Sequence, residues 1–406
     1  MSPFHLAWAN LAHKRGRTTI AAGGVAFAVI LIFMELGMLG GVRRTATMLF
    51  DKLNFDLFIT SAEYLDMSRA GEFERERLAQ AHAAKGVADV IPISIGAGGW
   101  RLPSHKGIFG TTPGGAIMSI NTIALPPALL DRAFIIGPGG AFATVEEARA
   151  AGVAISQLDS YLFDRRSKAD FGNVNQLIAA SRMPESADPI RLNGMRATIV
   201  GTFTLGTGFS WNGMLISSEE TMYRFTGRSP RGVDFGLVQL EPGADPETVK
   251  RELQSILPRD VKVYTRDEIN ASESRYWLRL TSVGQFLIVA VVLAIVVGVI
   301  FVYQMMAADI RNMMPEYATV KALGYRPPYL TAVVMWQAAL LAVLGYLPGF
   351  FASLGFYAIA REYGGIPAGM TLAIAAAVVV LTLGMCLASG MLAVRKVHTA
   401  EPADLF

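Results

Sequence analysis

Glu316, Tyr317 and Lys321 stand in a short charged island, PEYATVKALGYRPPYL at residues 315–330, between two long apolar runs. An acid, a phenol and an ammonium group offer ion pairing and hydrogen bonding to whatever meets them. Pro315 suits the first turn of a helix, Glu316 complements the positive helix start, and Gly324 is a natural C-terminal cap. Arg326-Pro327-Pro328 then prevents the helix from continuing. A helix of about nine residues does not persist alone in water, so it needs a surface to pack against. Glu316 and Lys321 are five positions apart and cannot satisfy each other as an i,i+4 pair. Tyr317, Val320 and Gly324 share one side, and Ala318 and Ala322 another. The spacing favours docking on a partner over a loop that merely joins two apolar segments.

Catalytic chemistry has no comparable footing. The sequence holds no G-x(4)-G-K-[ST] phosphate loop, no G-x-S-x-G elbow and no H-E-x-x-H pair. The five histidines, His5, His13, His82, His105 and His398, show no ligand spacing, and a single cysteine, Cys386, excludes an intrachain disulfide. We expect no enzyme activity in this chain and no metal or cofactor bound by it. The net charge of +3 is too small for a nucleic-acid surface.

The elements around the island must place it. Hydrophobic residues make up 52% of the 406 and charged residues 17%, against about 25% charged in soluble domains. Four runs are long enough for a membrane helix: 18–42, 280–306, 329–360 and 371–394. The first outlasts the roughly 7–15-residue core of a signal peptide, so it reads as a retained anchor. Basic residues then set the orientation: Lys14, Arg15 and Arg17 before the first run, Arg311, Lys321 and Arg326 between the second and third, Arg395 and Lys396 after the fourth. Residues 1–17, the loop 307–328 and the tail 395–406 are expected in the cytoplasm, and residues 43–279 on the far side. Phe4, Trp8, Leu11 and Ala12 recur at helical spacing, as in an amphipathic helix lying on headgroups.

Residues 43–279 read as an α+β domain. NFDLFITS, VADVIPISIG, MRATIVGTFTLG, GVDFGLVQLEPG and DVKVYT read as strands, and GEFERERLAQAHAAKG and DPETVKRELQSILP as helices. The second helix has Asp245 as N-cap, Pro246 in its first turn, and Val249, Leu253, Ile256 and Leu257 on one face. A β-α-β unit at each end suits a split β-α-β, ferredoxin-like core with an inserted subdomain. The stretch at about 100–195, starting from the GAGGW segment, reads as loop-rich. The fold class is thus a four-helix membrane protein with one large extracytoplasmic α+β domain.

Within the runs, Glu35 is the one acid deep in apolar sequence. It would line an outer mouth or extend to the outer interface. Pro348-Gly349 should kink the third helix. Gly37-x-x-x-Gly41 and Gly384-x-x-x-Ala388 have the small-residue spacing of close helix packing.

EYATVKALG resembles the E-[aromatic/aliphatic]-[G/A]-x-[L/V]-K-A-L-G signature in the second-to-third-span loop of the MacB/FtsX/LolC-type permeases of ABC transporters. The tail RKVHTAEPADLF resembles the closing element of that family, and the order of one span, large domain and three spans agrees. The opening LAWANLAHKRGRTTIAAGGVAFAVILIFMELGML and the run NFDLFITS look most like DevC-type permeases. The resemblance implies that Glu316, Tyr317, Lys321, Ala322, Leu323 and Gly324 form a coupling helix seated in a separate, DevA-like cytosolic ATPase, which would carry the ATP and Mg. It also implies a homodimer in a bacterial inner membrane, a DevB-like membrane-fusion adaptor, an outer-membrane duct, and export of a lipophilic or glycolipid cargo by mechanotransmission. A lipoprotein-releasing or cell-division-type permease without an adaptor is the alternative. A ligand sensor would be expected to carry a cytosolic signalling domain, and the longest cytoplasmic segment is about 22 residues.

Overall fold

The structure is a computed structural model that describes residues 2–13, 15–102, 105–107, 110–112, 116–181, 189–208, 211–312, 327–362 and 368–398. The chain divides into two compact units, Met1–Gly41 with Thr281–Phe406, and Val42–Leu280.

The second unit is built on one sheet of ten strands among the described residues. Its principal strands are β1 (Leu57–Ser61), β2 (Val87–Arg101), β3 (Ile117–Leu125), β4 (Ser160–Asp164), β5 (Thr198–Phe203), β6 (Met214–Ser218), β7 (Phe235–Leu240) and β8 (Val261–Thr265). They lie in the order β5-β4-β6-β3-β2-β7-β1-β8. The β2-β7-β1-β8 half is antiparallel throughout, with Ile59 opposite Gly236 and Val263. The helix Glu76–His82 joins β1 to β2, and the helix Pro246–Ile256 joins β7 to β8, each crossover skipping one strand. This is the split β-α-β order that the sequence pattern implies.

Alternation explains β1, which is buried on both faces. Leu57 and Ile59 join a cluster with Leu78, Val249, Leu253 and Val263 beneath the two helices. Phe58 points the other way, its ring 5.1 Å from that of Phe235 and 5.2 Å from that of Phe50. In the second helix Asp245 accepts a hydrogen bond from the Thr248 N–H, and Val249 and Leu253 are buried. Leu257, the residue after the helix, is buried as well, but Ile256, the last residue of the helix, is 48% exposed. The first crossover also differs from expectation: Phe73–Glu74 pairs as a short strand with Gly232–Val233, and the helix starts only at Glu76.

The inserted residues add strands to the same sheet. Strand β2 is 15 residues long; Val87–Ile93 pairs with β7, and Ser94–Arg101 pairs with β3. GAGGW, expected in a loop-rich stretch, is its second half. A Cβ on Gly96 would stand 2.6 Å from Met222 Sδ, and one on Gly98 2.7 Å from Leu192 Cδ1. The bare backbone lets the helix Glu219–Thr226 and the hairpin at 191–196 lie directly on the strand. Trp100 closes this half, fully buried and donating through Nε1 to the Phe171 carbonyl at 3.1 Å.

Among its described residues the first unit contains four helices long and apolar enough to cross a membrane: Arg15–Thr47 (the part to Gly41), Ser282–Ala308, Thr331–Arg361 and Leu372–Val394. The first is the central one, with Val25, Val29, Ile32 and Phe33 buried against the others. Its crossing with the third is set by glycine. A Cβ on Gly345 would meet Val25 Cβ at 2.5 Å, and one on Gly349 would meet Val29 Cγ1 at 2.7 Å. Replacing Gly345 by Leu is therefore expected to force these helices apart and to lower thermal stability in detergent by about 2 kcal/mol. An unchanged melting curve would contradict this packing. The helix Pro3–His13 packs in the same unit, with Ala7 buried and the Phe4 ring edge-on to Trp336 at 5.3 Å.

Candidate functional site

The expected docking residues Glu316, Tyr317, Lys321, Ala322, Leu323 and Gly324 lie outside the described residues. The other expected site residues are placed. Glu35 is half-buried on the first span helix, and its Oε2 has no hydrogen-bond partner among the described residues. Pro348 is exposed within the helix Pro327–Glu362, which runs through it without a break in helical assignment, whereas Gly349 is buried. The contact that the geometry gives Gly349 is the crossing on Val29. Gly37 likewise packs on Tyr357, whose hydroxyl donates to the Phe33 carbonyl. Gly384 and Ala388 face outward, with nothing within 4 Å of the Cβ position at Gly384.

Two side chains that the sequence reading missed make joints between the helix Arg266–Arg275 and other parts of the domain 43–279. The first is Arg266, at the start of the helix Arg266–Arg275 that leads towards the second span. Its Nη1 donates to the Phe50 carbonyl at 2.7 Å, and its Nη2 to those of Leu53 and Phe55 at 3.0 and 2.8 Å. The guanidinium also stacks over the Phe55 ring, 4.0 Å from its centre. One side chain thus ties the segment following the first span helix to the helix preceding the second. The local signal for this helix was present: Thr265 and Glu268 form a reciprocal capping box. Arg266→Ala is expected to destabilise the domain by about 2 kcal/mol, with Arg266→Lys between the two, read by thermal unfolding of the full chain. Equal stability of all three would remove Arg266 from this role.

The second is Glu273, on the same helix and 1% exposed. Its carboxyl accepts from the Tyr64 hydroxyl, from the Met67 N–H at 3.1 Å and from Trp277 Nε1 at 3.2 Å. Tyr64 and Met67 belong to the loop after β1, so Glu273 fastens the helix to the ferredoxin-like half. Burial pushes its pKa up to about 7, against the three donors, which favour the ionised form. The chain then makes one turn of π-helix at Tyr276–Leu280 before the second span helix. Among the described residues no cluster of His, Cys, Asp or Glu could hold a metal.

Comparison with known proteins adds the family. The model for the FtsX-like permease C-terminal domain matches residues 288–402. No curated protein matches the sequence. The extracellular domain of the noncanonic ABC-type transporter YknZ from Gram-positive bacteria is similar at 12% identity and a TM-score of 0.32, over 53% of this chain and 98% of that one. The periplasmic region of MacB from Actinobacillus actinomycetemcomitans is similar at 10% identity and a TM-score of 0.33, over 55% of this chain and 94% of that one. Scores below 0.5 leave the fold of the domain to be judged from its own strand order. What the comparisons show for this chain is thus an FtsX-like permease C-terminal domain at residues 288–402, which covers most of the last three span helices and the segment 313–326.

Proposed function

We propose that this permease subunit couples ATP hydrolysis on a separate cytosolic, DevA-like ATPase to movement of the domain 43–279, as a homodimer with both termini in the cytoplasm. The observation that carries the reading is the FtsX-like match across residues 288–402, because it includes the charged island at 315–324. Glu316, Tyr317, Lys321, Ala322, Leu323 and Gly324 are the docking set. The ATP and Mg belong to the partner, and this chain performs no catalysis.

Arg266 and Glu273 support the mechanical half of the proposal. A push received between the second and third spans travels along the second span into the helix 266–275. Arg266 and Glu273 join that helix to the segments on either side of β1, so the sheet would move with it. With a DevB-like membrane-fusion adaptor docked on the outer domain, that movement would drive a lipophilic or glycolipid cargo towards an outer-membrane duct.

Co-purification with an ATPase encoded beside the gene, and with an adaptor, tests the proposal. Loss of the ATPase from every such complex would overturn it, while an ATPase without an adaptor would favour the lipoprotein-releasing alternative. Orientation has its own test, since the single native cysteine, Cys386, is buried. In a Cys386→Ala background, Lys321→Cys is expected to react with a membrane-impermeant thiol reagent only after the cytoplasmic face is opened. Labelling from outside would reverse the topology.

A further inference from the structure

The first span helix does not end with its apolar run. It continues past Val42 through Arg43 to Thr47, and the helix 266–275 with its π-helical turn comes up to the second apolar run at Leu280. Between these two stretches lies a half-open groove of about 800 Å³ lined by Arg43, Thr47, Asn270, Ser274, Arg275 and Arg279. Asp267 is the one carboxylate on its wall, against three guanidinium groups.

Elsewhere in this domain arginines meet carboxylates: Arg77 with Asp260, Arg132 with Asp89, Arg149 with Asp131, Arg224 with Asp159. Arg43 and Arg275 are exposed and have no ion-pair partner among the described residues. Asn270 adds a buried amide oxygen with no hydrogen-bond partner, and a half-turn of the amide would offer its NH2 donors instead. Thr47 and Ser274 contribute hydroxyls, and Ala271 and Leu278 an apolar edge. Convergent guanidinium and hydroxyl donors are the chemistry of phosphate recognition.

Sequence position selects the source of the phosphate. Arg43 directly follows the first apolar run and Arg279 directly precedes Leu280, so both stand within about a turn of the hydrocarbon boundary. Lipid headgroups carry phosphate at that depth. We propose that this groove binds the headgroup phosphate of an anionic phospholipid, with the acyl chains beside Leu278. The groove belongs to whichever leaflet faces residues 43–279, so the inference does not depend on the orientation.

The test uses the full chain in detergent, with retained lipid counted by native mass spectrometry after addition of phosphatidylglycerol or phosphatidylcholine. Wild type is expected to retain phosphatidylglycerol roughly a hundredfold better, about fivefold for each of the three guanidinium groups. Arg43→Gln/Arg275→Gln/Arg279→Gln should abolish that preference, at about fivefold per basic residue removed. The matched control Arg149→Gln/Arg251→Gln/Arg259→Gln removes equal charge elsewhere and should leave it intact. Equal retention by the groove variant and wild type, equal loss in the control, or no preference in wild type would each overturn the proposal. Displacement of the lipid by millimolar inorganic phosphate would identify a soluble anion as the ligand and overturn the lipid assignment. If the triple variant fails to fold, Arg43→Gln and Arg275→Gln are read singly at their exposed positions. Each should lose about fivefold, and no loss in either would overturn the proposal.

Discussion

Ala322→Glu is expected to abolish productive association with the ATPase while leaving the permease folded in the membrane. Ala322 belongs to the small face of the island at 315–324, where the proposed docking needs close approach. A glutamate there adds bulk and brings a carboxylate out of water with no assigned cation to meet it. An unpaired charge in a packed interface costs about 3–5 kcal/mol, which corresponds to an affinity loss of about 10²- to 10³-fold. Two measurements check this: the amount of ATPase retained through purification, and ATP turnover of the reconstituted complex. Gly324→Val should act in the same direction, by straining the cap that ends the helix. Unchanged complex formation and turnover in both variants would count against the docking assignment, whatever else the permease does. The N-terminal helix Pro3–His13 provides an internal comparison, because a Trp8→Ala change lies outside the proposed contact set and should leave turnover intact.

What could be read from the sequence follows the range of the interactions involved. Strand β1 was legible because Leu57, Phe58 and Ile59 are β-formers buried on both faces, and the helix at 246–256 because Asp245-Pro246 marks its start locally. The GAGGW stretch was misread because glycine is a poor strand former on its own, and here its value lies in what packs on it, Met222 and Leu192. Ile256 was placed on the buried face by its seven-residue spacing from Val249, but it is the last residue of the helix and stands exposed there. The joints had no such local signal. Arg266 reaches carbonyls 216, 213 and 211 residues away, and Glu273 bonds groups 209 and 206 residues away. A charged residue on a helix reads as a solvated face until tertiary contacts bring its partners to it. The docking island is an expectation of the opposite kind: its stop signals and its charges all lie within 16 residues, 315–330, and residues 315–324 lie outside the described residues.

Glu273 gives the outer domain a pH dependence whose sign can be derived. Its folded-state pKa is about 7, against an ordinary value of 4.5. Below about pH 4.5 the carboxyl is protonated in both the folded and the unfolded chain, and its contribution is at a maximum. Between about 4.5 and 7 the unfolded chain releases the proton while the folded chain holds it, so stability falls as pH rises through that window. The full span corresponds to about 3 kcal/mol, or roughly 6–12 °C in melting temperature for a domain of this size. Trp277 donates to the same carboxyl, so its fluorescence in the full-length protein reports on the joint directly. Glu273→Gln keeps an acceptor for Trp277 and Met67 but cannot ionise. The difference between wild type and this variant should therefore grow from pH 5 to pH 7.5, with the variant flat where wild type declines. Glu273→Ala instead leaves the Met67 N–H and the indole N–H unpaired, and should be destabilised at every pH. Parallel melting profiles for wild type and Glu273→Gln would show that another group governs the transition. With the predicted divergence, the joint between the helix 266–275 and the loop after β1 loosens as its carboxyl ionises.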